Sequence, residues 1–226
     1  MRCLKKVLRY IGGSKRTVLK FKKFDDDFQD QIVVFSDASF ADIIDDNMKS
    51  TAGYAGYYNG QIIDWRTCRI KLVCTSTTAA EFMALYYAVT NCIHFGYMMQ
   101  EIFEVNVFPI IVYGDNKSAN QIATGKAPGG MTKYLATKYH MLQQLADEGL
   151  IRIYYVSSSR NHADGLTKAL GPIKFKKFVG FCYDWFDYVV FKKETGNEVE
   201  PIRVRDDNRW NGVNIKQEVT KEEEEK

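Results

Sequence analysis

The chain has 226 residues, 46% hydrophobic and 26% charged, proportions ordinary for one globular domain with extensions. A net charge of only +3 excludes overall basicity as an argument for binding a polyanion. Five cysteines without CxxC spacing, with three histidines that complete no Cys/His pattern, exclude a zinc module and read as reduced thiols of an intracellular protein.

Residues 1–11 place Leu4, Val7, Leu8 and Ile11 at helical spacing, and Gly12-Gly13 stops the helix. This start is basic but lacks an apolar secretory core, and residues 1–24 hold nine Lys or Arg and no acid. A helix with no partner before it predicts that the chain begins inside a larger parent. Residues 31–36 predict a buried strand ending at Asp37. Residues 52–58 and 61–66 predict a hairpin around Asn59-Gly60. Residues 70–75 predict a third antiparallel strand or the end of the second arm.

The longest helix is predicted over 78–95, with Phe82, Leu85, Val89, Cys92 and Ile93 on its apolar face. Pro109 opens a strand through Tyr113, and a short helix follows Asp115. Residues 125–130 read as a loop, 133–148 as a helix stopped by Gly149, and 150–156 as a strand. A polar loop over 157–163 leads to Asp164. The aromatic stretch 178–191 is broken by Asp184 and Asp187 and is too short to cross a bilayer; residues 192–226 read as a loose polar tail. This order of elements predicts a mixed α/β sheet with helices on its faces.

Four acids fall at element ends: Asp37 after the first strand, Glu81 in the first turn of the long helix, Asp115 after the strand from Pro109, and Asp164 after the last strand. Carboxylates gathered at one sheet edge repel one another unless divalent cations neutralise them, and hard oxygen donors suit Mg²⁺. Each acid also has a local explanation. Asp37 and Asp164 are turn residues, Glu81 completes a Thr78-x-x-Glu81 capping box, and Asp115 can cap the next helix. The joint pattern is what points to chemistry.

Several motifs carry a family resemblance. They are Ser36-Asp37-Ala38; an acidic loop with Asp45 and Asp46 running into Lys49-Ser50-Thr51 and Gly53-Tyr54; Ile63-Asp64-Trp65; Ser76 through Leu85; Asp115-Asn116 with Ser118-Ala119; and Ala163-Asp164 with Leu166-Thr167-Lys168. Together they resemble the ribonuclease H domain of copia-type LTR retrotransposon polyproteins. Residues 5–14 are similar to the helix that ends the reverse transcriptase portion of such polyproteins. Ala79, Tyr134, Lys138 and Ala169 depart from the family pattern and spare the four acids.

The resemblance implies a ribonuclease H-like mixed five-stranded sheet with helices on both faces. It implies a reverse transcriptase remnant over 1–24, the nuclease domain over 25–178, and an extension over 179–226. It further implies a metal-dependent endonuclease that cleaves the RNA strand of RNA–DNA hybrids, leaving 5′-phosphate and 3′-hydroxyl ends. The chain would work beside the reverse transcriptase of the same polyprotein, away from membranes, in a cytoplasmic particle or the nucleus. Asp37, Glu81, Asp115 and Asp164 would hold two Mg²⁺ ions, with Mn²⁺ as a substitute. Ser39, Ser76, Asn116 and Ser118 adjoin these acids and are candidate substrate contacts or, equally, caps and turns. His140 is a candidate substrate contact or a structural residue, and His162 a candidate for product release. The rival readings are an inactive structural or nucleic-acid-binding remnant and an integrase core, the latter lacking its zinc-binding segment and late catalytic Glu here.

Overall fold

A computed structural model describes residues 2–16, 18, 19, 21, 30–43, 47–126 and 133–183. The acidic-loop residues Asp45 and Asp46, Thr132, and the tail from 184 onward lie outside the described residues.

The elements run α1 (Arg2–Gly13), β1 (Ile32–Ile43), β2 (Lys49–Tyr58), β3 (Gln61–Arg69), α2 (Thr77–Phe103), β4 (Ile110–Gly114), α3 (Lys117–Ala123), α4 (Lys133–Asp147), β5 (Ile151–Tyr155), a 3₁₀ turn (Ser158–Arg160), α5 (Asp164–Thr167) and α6 (Pro172–Tyr183). The strands form one five-stranded sheet in the order β3-β2-β1-β4-β5. β1 pairs antiparallel with β2 and parallel with β4, so it is the seam between the two halves of a mixed sheet.

Ile32, Val33, Val34 and Phe35 are all buried, as the central strand of a sheet covered on both faces requires. Ile32 and Val34 join Val112, Phe82, Leu85, Val89 and Leu142 in a core beneath α2, α3 and α4. Val33 and Phe35 join Tyr57, Ile111, Tyr113 and Ala163 in a second core on the other face, where Leu166 of α5 and Cys182 of α6 pack. Helices therefore cover both faces, as the resemblance implies. Asn59 and Gly60, at φ 47° and 80°, make the tight turn between β2 and β3. No helix among the described residues is long and apolar enough to cross a membrane.

Several element boundaries differ from the sequence expectations: α1 takes in Gly12 and Gly13, the residues expected to stop it, β2 starts already at Lys49, and β3 runs on to Arg69. β1 does not end at Asp37; it runs to Ile43, because the first half of β2 pairs with it through Ser39↔Thr51 and Ile43↔Lys49. Residues 70–75 are not a strand. β3 ends at Arg69, opposite Thr51, and Ile70 then donates its N–H to the Ser50 carbonyl at 2.8 Å. α2 continues past residue 95 to Phe103, a 27-residue helix. Gly96 does not stop it: a Cβ there would lie 2.8 Å from the Phe108 ring, so this glycine is a notch that lets the helix pass the segment leading into β4.

α6 went unread in the sequence. Pro172 occupies its first position, where a missing N–H costs nothing. Its Phe181 stacks on His162 at 3.7 Å between centroids, and Phe35 stacks on the opposite ring face at 4.0 Å.

The one-turn helix α5 lies directly over β2. A Cβ on Gly53 would stand 2.9 Å from both Leu166 Cβ and Thr167 Cγ2. Gly53 has no left-handed backbone to require glycine, so Gly53→Ala isolates this close approach. The expected result is a loss of about 1–3 kcal/mol, the usual cost of overpacking, read as a lowered Tm. An unchanged Tm would show that α5 is not held tightly on β2.

Candidate active site

The parallel half of the sheet stops at a common rim. β4 ends at Gly114 opposite Ser36 of β1, and β5 ends at Tyr155. Asp37 and Asp115 each follow by one residue. Outside the carboxyl ends of parallel strands, at a point where the sheet changes direction, is where α/β sheets place their ligand sites. Asn120 secures this rim from α3, donating to the Gly114 carbonyl at 2.9 Å and the Tyr154 carbonyl at 3.2 Å.

Glu81 reaches the same place from α2. The N-cap of that helix is Ser76, whose hydroxyl accepts from the Ala79 N–H at 3.1 Å. Glu81 therefore lies beyond the first turn, not in it as the sequence predicted, and takes no part in a Thr78–Glu81 capping box. Asp115 is likewise not a cap, because Asn116 caps α3 by accepting from Ala119 N–H at 3.0 Å. Two of the local explanations for these acids are thus removed. One carboxylate oxygen from each of Asp37, Glu81 and Asp115 lies within 4.8 Å of the others. Asp37 is 0% and Glu81 7% exposed.

Asp164, the first residue of α5, is not part of this trio. It is joined to it through Lys168, whose ammonium lies 2.9 Å from Asp164 Oδ1 and 3.2 Å from Asp37. Asp37 also accepts hydrogen bonds from the Thr167 hydroxyl and, at 3.4 Å, from the Asn161 side-chain amide, which in turn holds the Ser36 carbonyl at 2.9 Å. Asn161, Thr167 and Lys168 thus surround Asp37; the sequence places Thr167 and Lys168 in a motif but assigns none of the three to the site. The four-residue spacing of Asp164 and Lys168 on a short helix was the available signal.

The candidate substrate residues divide. Ser39 is half-buried on β1 two residues beyond Asp37, and Ser118 is exposed in the first turn of α3. Ser76 and Asn116 both serve as helix caps. His140 is exposed on α4 beside Tyr139, outside the acidic group. His162 is not among the acidic trio. It is 1% exposed between Phe35 and Phe181, with Nδ1 3.0 Å from the Tyr57 hydroxyl, and burial holds its pKa well below the usual histidine value.

Burial pushes the Glu81 carboxyl up to about 9, and the charges of Asp37 and Asp115 add to this against the opposing pull of Lys168 and the Ala38 N–H. Burial also raises Asp37 to about 6, with the Thr167 hydroxyl and Lys168 holding it down and Asp115 adding upward. All donors of the trio are hard oxygens, with no nitrogen or sulfur among them. A divalent cation would offset the cost of burying an ionised Glu81 and the added repulsion of Asp37 and Asp115, so the residues present fit such an ion.

No protein-family model matches the chain. It is 30% identical over 180 residues to the retrovirus-related Pol polyprotein from transposon TNT 1-94 of Nicotiana tabacum, covering 78% of this chain and 13% of that protein. It is 29% identical to the Pol polyprotein from transposon RE2 of Arabidopsis thaliana, over 77% of this chain and 12% of that protein. Its homologues are thus Pol polyproteins of copia/Ty1-type retrotransposons, and it spans about an eighth of their length. Among solved structures, the N-terminal ribonuclease H domain of rv2228c from Mycobacterium tuberculosis aligns with 16% identity and a TM-score of 0.47, covering 62% of this chain and 91% of that one.

A carboxyl that binds its proton more tightly when folded contributes stability at low pH, and that contribution is lost as pH rises through the folded value. With divalent ions chelated, the chain is therefore expected to lose stability between pH 4.5 and about 9 through Glu81, and between 3.8 and about 6 through Asp37. Glu81→Gln removes the larger part. At pH 8 in chelator its melting temperature should exceed that of the unmodified chain by roughly 4–8 °C, on the order of 2 kcal/mol, with the gap closing toward pH 5. Equal melting temperatures at pH 8 would contradict the buried, mutually repelling trio.

Proposed function

We propose that this chain, whose homologues are retrotransposon Pol polyproteins, is the ribonuclease H part of such a polyprotein and cleaves the RNA strand of RNA–DNA hybrids during reverse transcription. The observation that carries this reading is the convergence of Asp37, Glu81 and Asp115 at the carboxyl rim of the sheet. The division into a polymerase remnant over 1–24, a nuclease over 25–178 and an extension over 179–226 belongs to the same proposal. So do the reverse transcriptase portion as working partner and a cytoplasmic particle or the nucleus as location.

Asp37, Glu81 and Asp115 would hold a divalent cation, Mg²⁺ or in its place Mn²⁺. When bound, such a cation lowers the pKa of a water for attack on phosphorus and stabilises the departing 3′ oxygen. The chain's own groups hold these carboxylates still. Thr167, Lys168 and Asn161 fix the Asp37 oxygens, and the Ala38 N–H holds the Glu81 carboxylate against the strand. Glu81 keeps its proton at neutral pH until a cation arrives, so cation binding releases a proton and tightens with pH. Burial of Asp37 and Glu81 keeps bulk water from screening the charges, which strengthens every interaction with the phosphate. Discrimination of RNA from DNA falls to groups beside the trio that can meet a 2′-hydroxyl, with Ser39 and Ser118 the free-standing candidates.

Asp37→Asn and Asp115→Asn should each lower hybrid cleavage by at least ~100-fold, the order expected when a group stabilising developing charge is removed. Circular dichroism should remain that of the unmodified chain. Chelation should abolish cleavage and Mg²⁺ restore it, with duplex DNA left intact throughout. A folded Asp37→Asn variant that cleaves hybrid at the full rate would overturn the proposal, and a folded unmodified chain inert in Mg²⁺ and Mn²⁺ would favour the inactive remnant.

A further inference from the structure

We infer that Lys168 is a resident counter-cation, filling the position between Asp37 and Asp164 that a second divalent ion must take from it. This rests on the reading of Asp37, Glu81 and Asp115 as a cation site and adds to it an unequal affinity for the two ions.

Four acids reach the rim, yet only three gather; between the third-party Asp164 and Asp37 stands an ammonium, 2.9 Å from one and 3.2 Å from the other. The oxygens facing each other there are already bonded to a cation. The arrangement is built into the backbone. Lys168 follows α5 directly, and its N–H closes the turn on the Asp164 carbonyl at 3.1 Å, which sets the two side chains one turn apart. Its neighbour Thr167 donates to Asp37, and the bare Cα of Gly53 admits α5 at this depth. Lys168 is held at the site by the fold, not merely attracted to it.

Charge decides the consequence. Asp37, Glu81, Asp115 and Asp164 carry four formal negative charges when ionised. One divalent ion with the ammonium leaves one negative charge. Two divalent ions neutralise all four, and the ammonium then becomes surplus positive charge against them. The second ion must therefore displace Lys168. The side chain can leave, because it is 41% exposed whereas Asp37 is 0%. The first ion, at the trio, meets the ammonium through Asp37 alone, whereas the second would meet it at both Asp37 and Asp164.

The test is a Mn²⁺ titration of the full chain at pH 8, followed by calorimetry and by the electron paramagnetic resonance signal of free Mn²⁺, which requires no turnover. The unmodified chain is expected to bind one ion tightly and a second at least tenfold more weakly. Lys168→Gln and Lys168→Met should each tighten the second ion by about tenfold or more, and tighten the first by less. Lys168→Arg, which keeps the charge, should leave the second ion weak. Second-ion affinity that is unchanged or weakened in both neutral variants would overturn the inference while leaving the trio intact as a cation site. No bound ion in any of the four proteins, each folded by circular dichroism, would sink the cation reading of the trio itself, and this inference with it.

Discussion

Two carboxyls almost out of contact with water, Asp37 and Glu81, sit within 4.8 Å of a third, Asp115, and the surrounding structure is arranged around that repulsion. Neither burial nor proximity would be tolerated alone. Burial disfavours the charged form, and each neighbouring charge disfavours it further. The group with fewest compensating partners, Glu81, moves furthest and keeps its proton at neutral pH. Asp37 moves less because a hydroxyl and an ammonium face it. The free chain thus stores unfavourable electrostatics that a hard divalent cation would discharge.

The mixed sheet supplies the place for this. Only β1 has an antiparallel neighbour on one side and a parallel one on the other, so β1 continues to Ile43 while β4 stops at Gly114. The step leaves Asp37 on a supported strand at the lip of a rim to which Asp115 also belongs. α2 crosses this step and delivers Glu81 from one face. α5 approaches the same residue, through Thr167 and Lys168. The two helices converge on one side chain, which is why Asp37 has no exposed surface at all.

The parts of this that were legible in the sequence are those set by short-range pattern. The hairpin at Asn59-Gly60, the helix through Phe82 and Leu85, and the positions of the acids at 37, 81 and 115 each follow from local spacing and short motifs. What was not legible depends on distant partners. The helix predicted to end at residue 95 runs on through Gly96, whose missing side chain leaves room for the Phe108 ring. Asp37 reads as a strand end until β2 is laid beside it. Thr167 and Lys168 belong to a short motif, but their contacts to Asp37 span more than 100 residues of chain. His162, two residues before Asp164 in the chain, places its imidazole between the rings of Phe35 and Phe181.

The departure at Ala79 bears on whether the chain is an enzyme or a remnant. Ala79 is the third residue of α2, and its N–H is met by the Ser76 hydroxyl. A glutamate there could return the favour as a capping box, so alanine removes a helix-end interaction of modest size. It leaves Glu81 where it is. The trio itself is the costlier feature, because a neutral residue at 37 or 81 would relieve buried repulsion and stabilise the free fold. Asp37, Glu81 and Asp115 thus load the free fold with a buried repulsion that a bound cation would relieve, whatever residue stands at position 79.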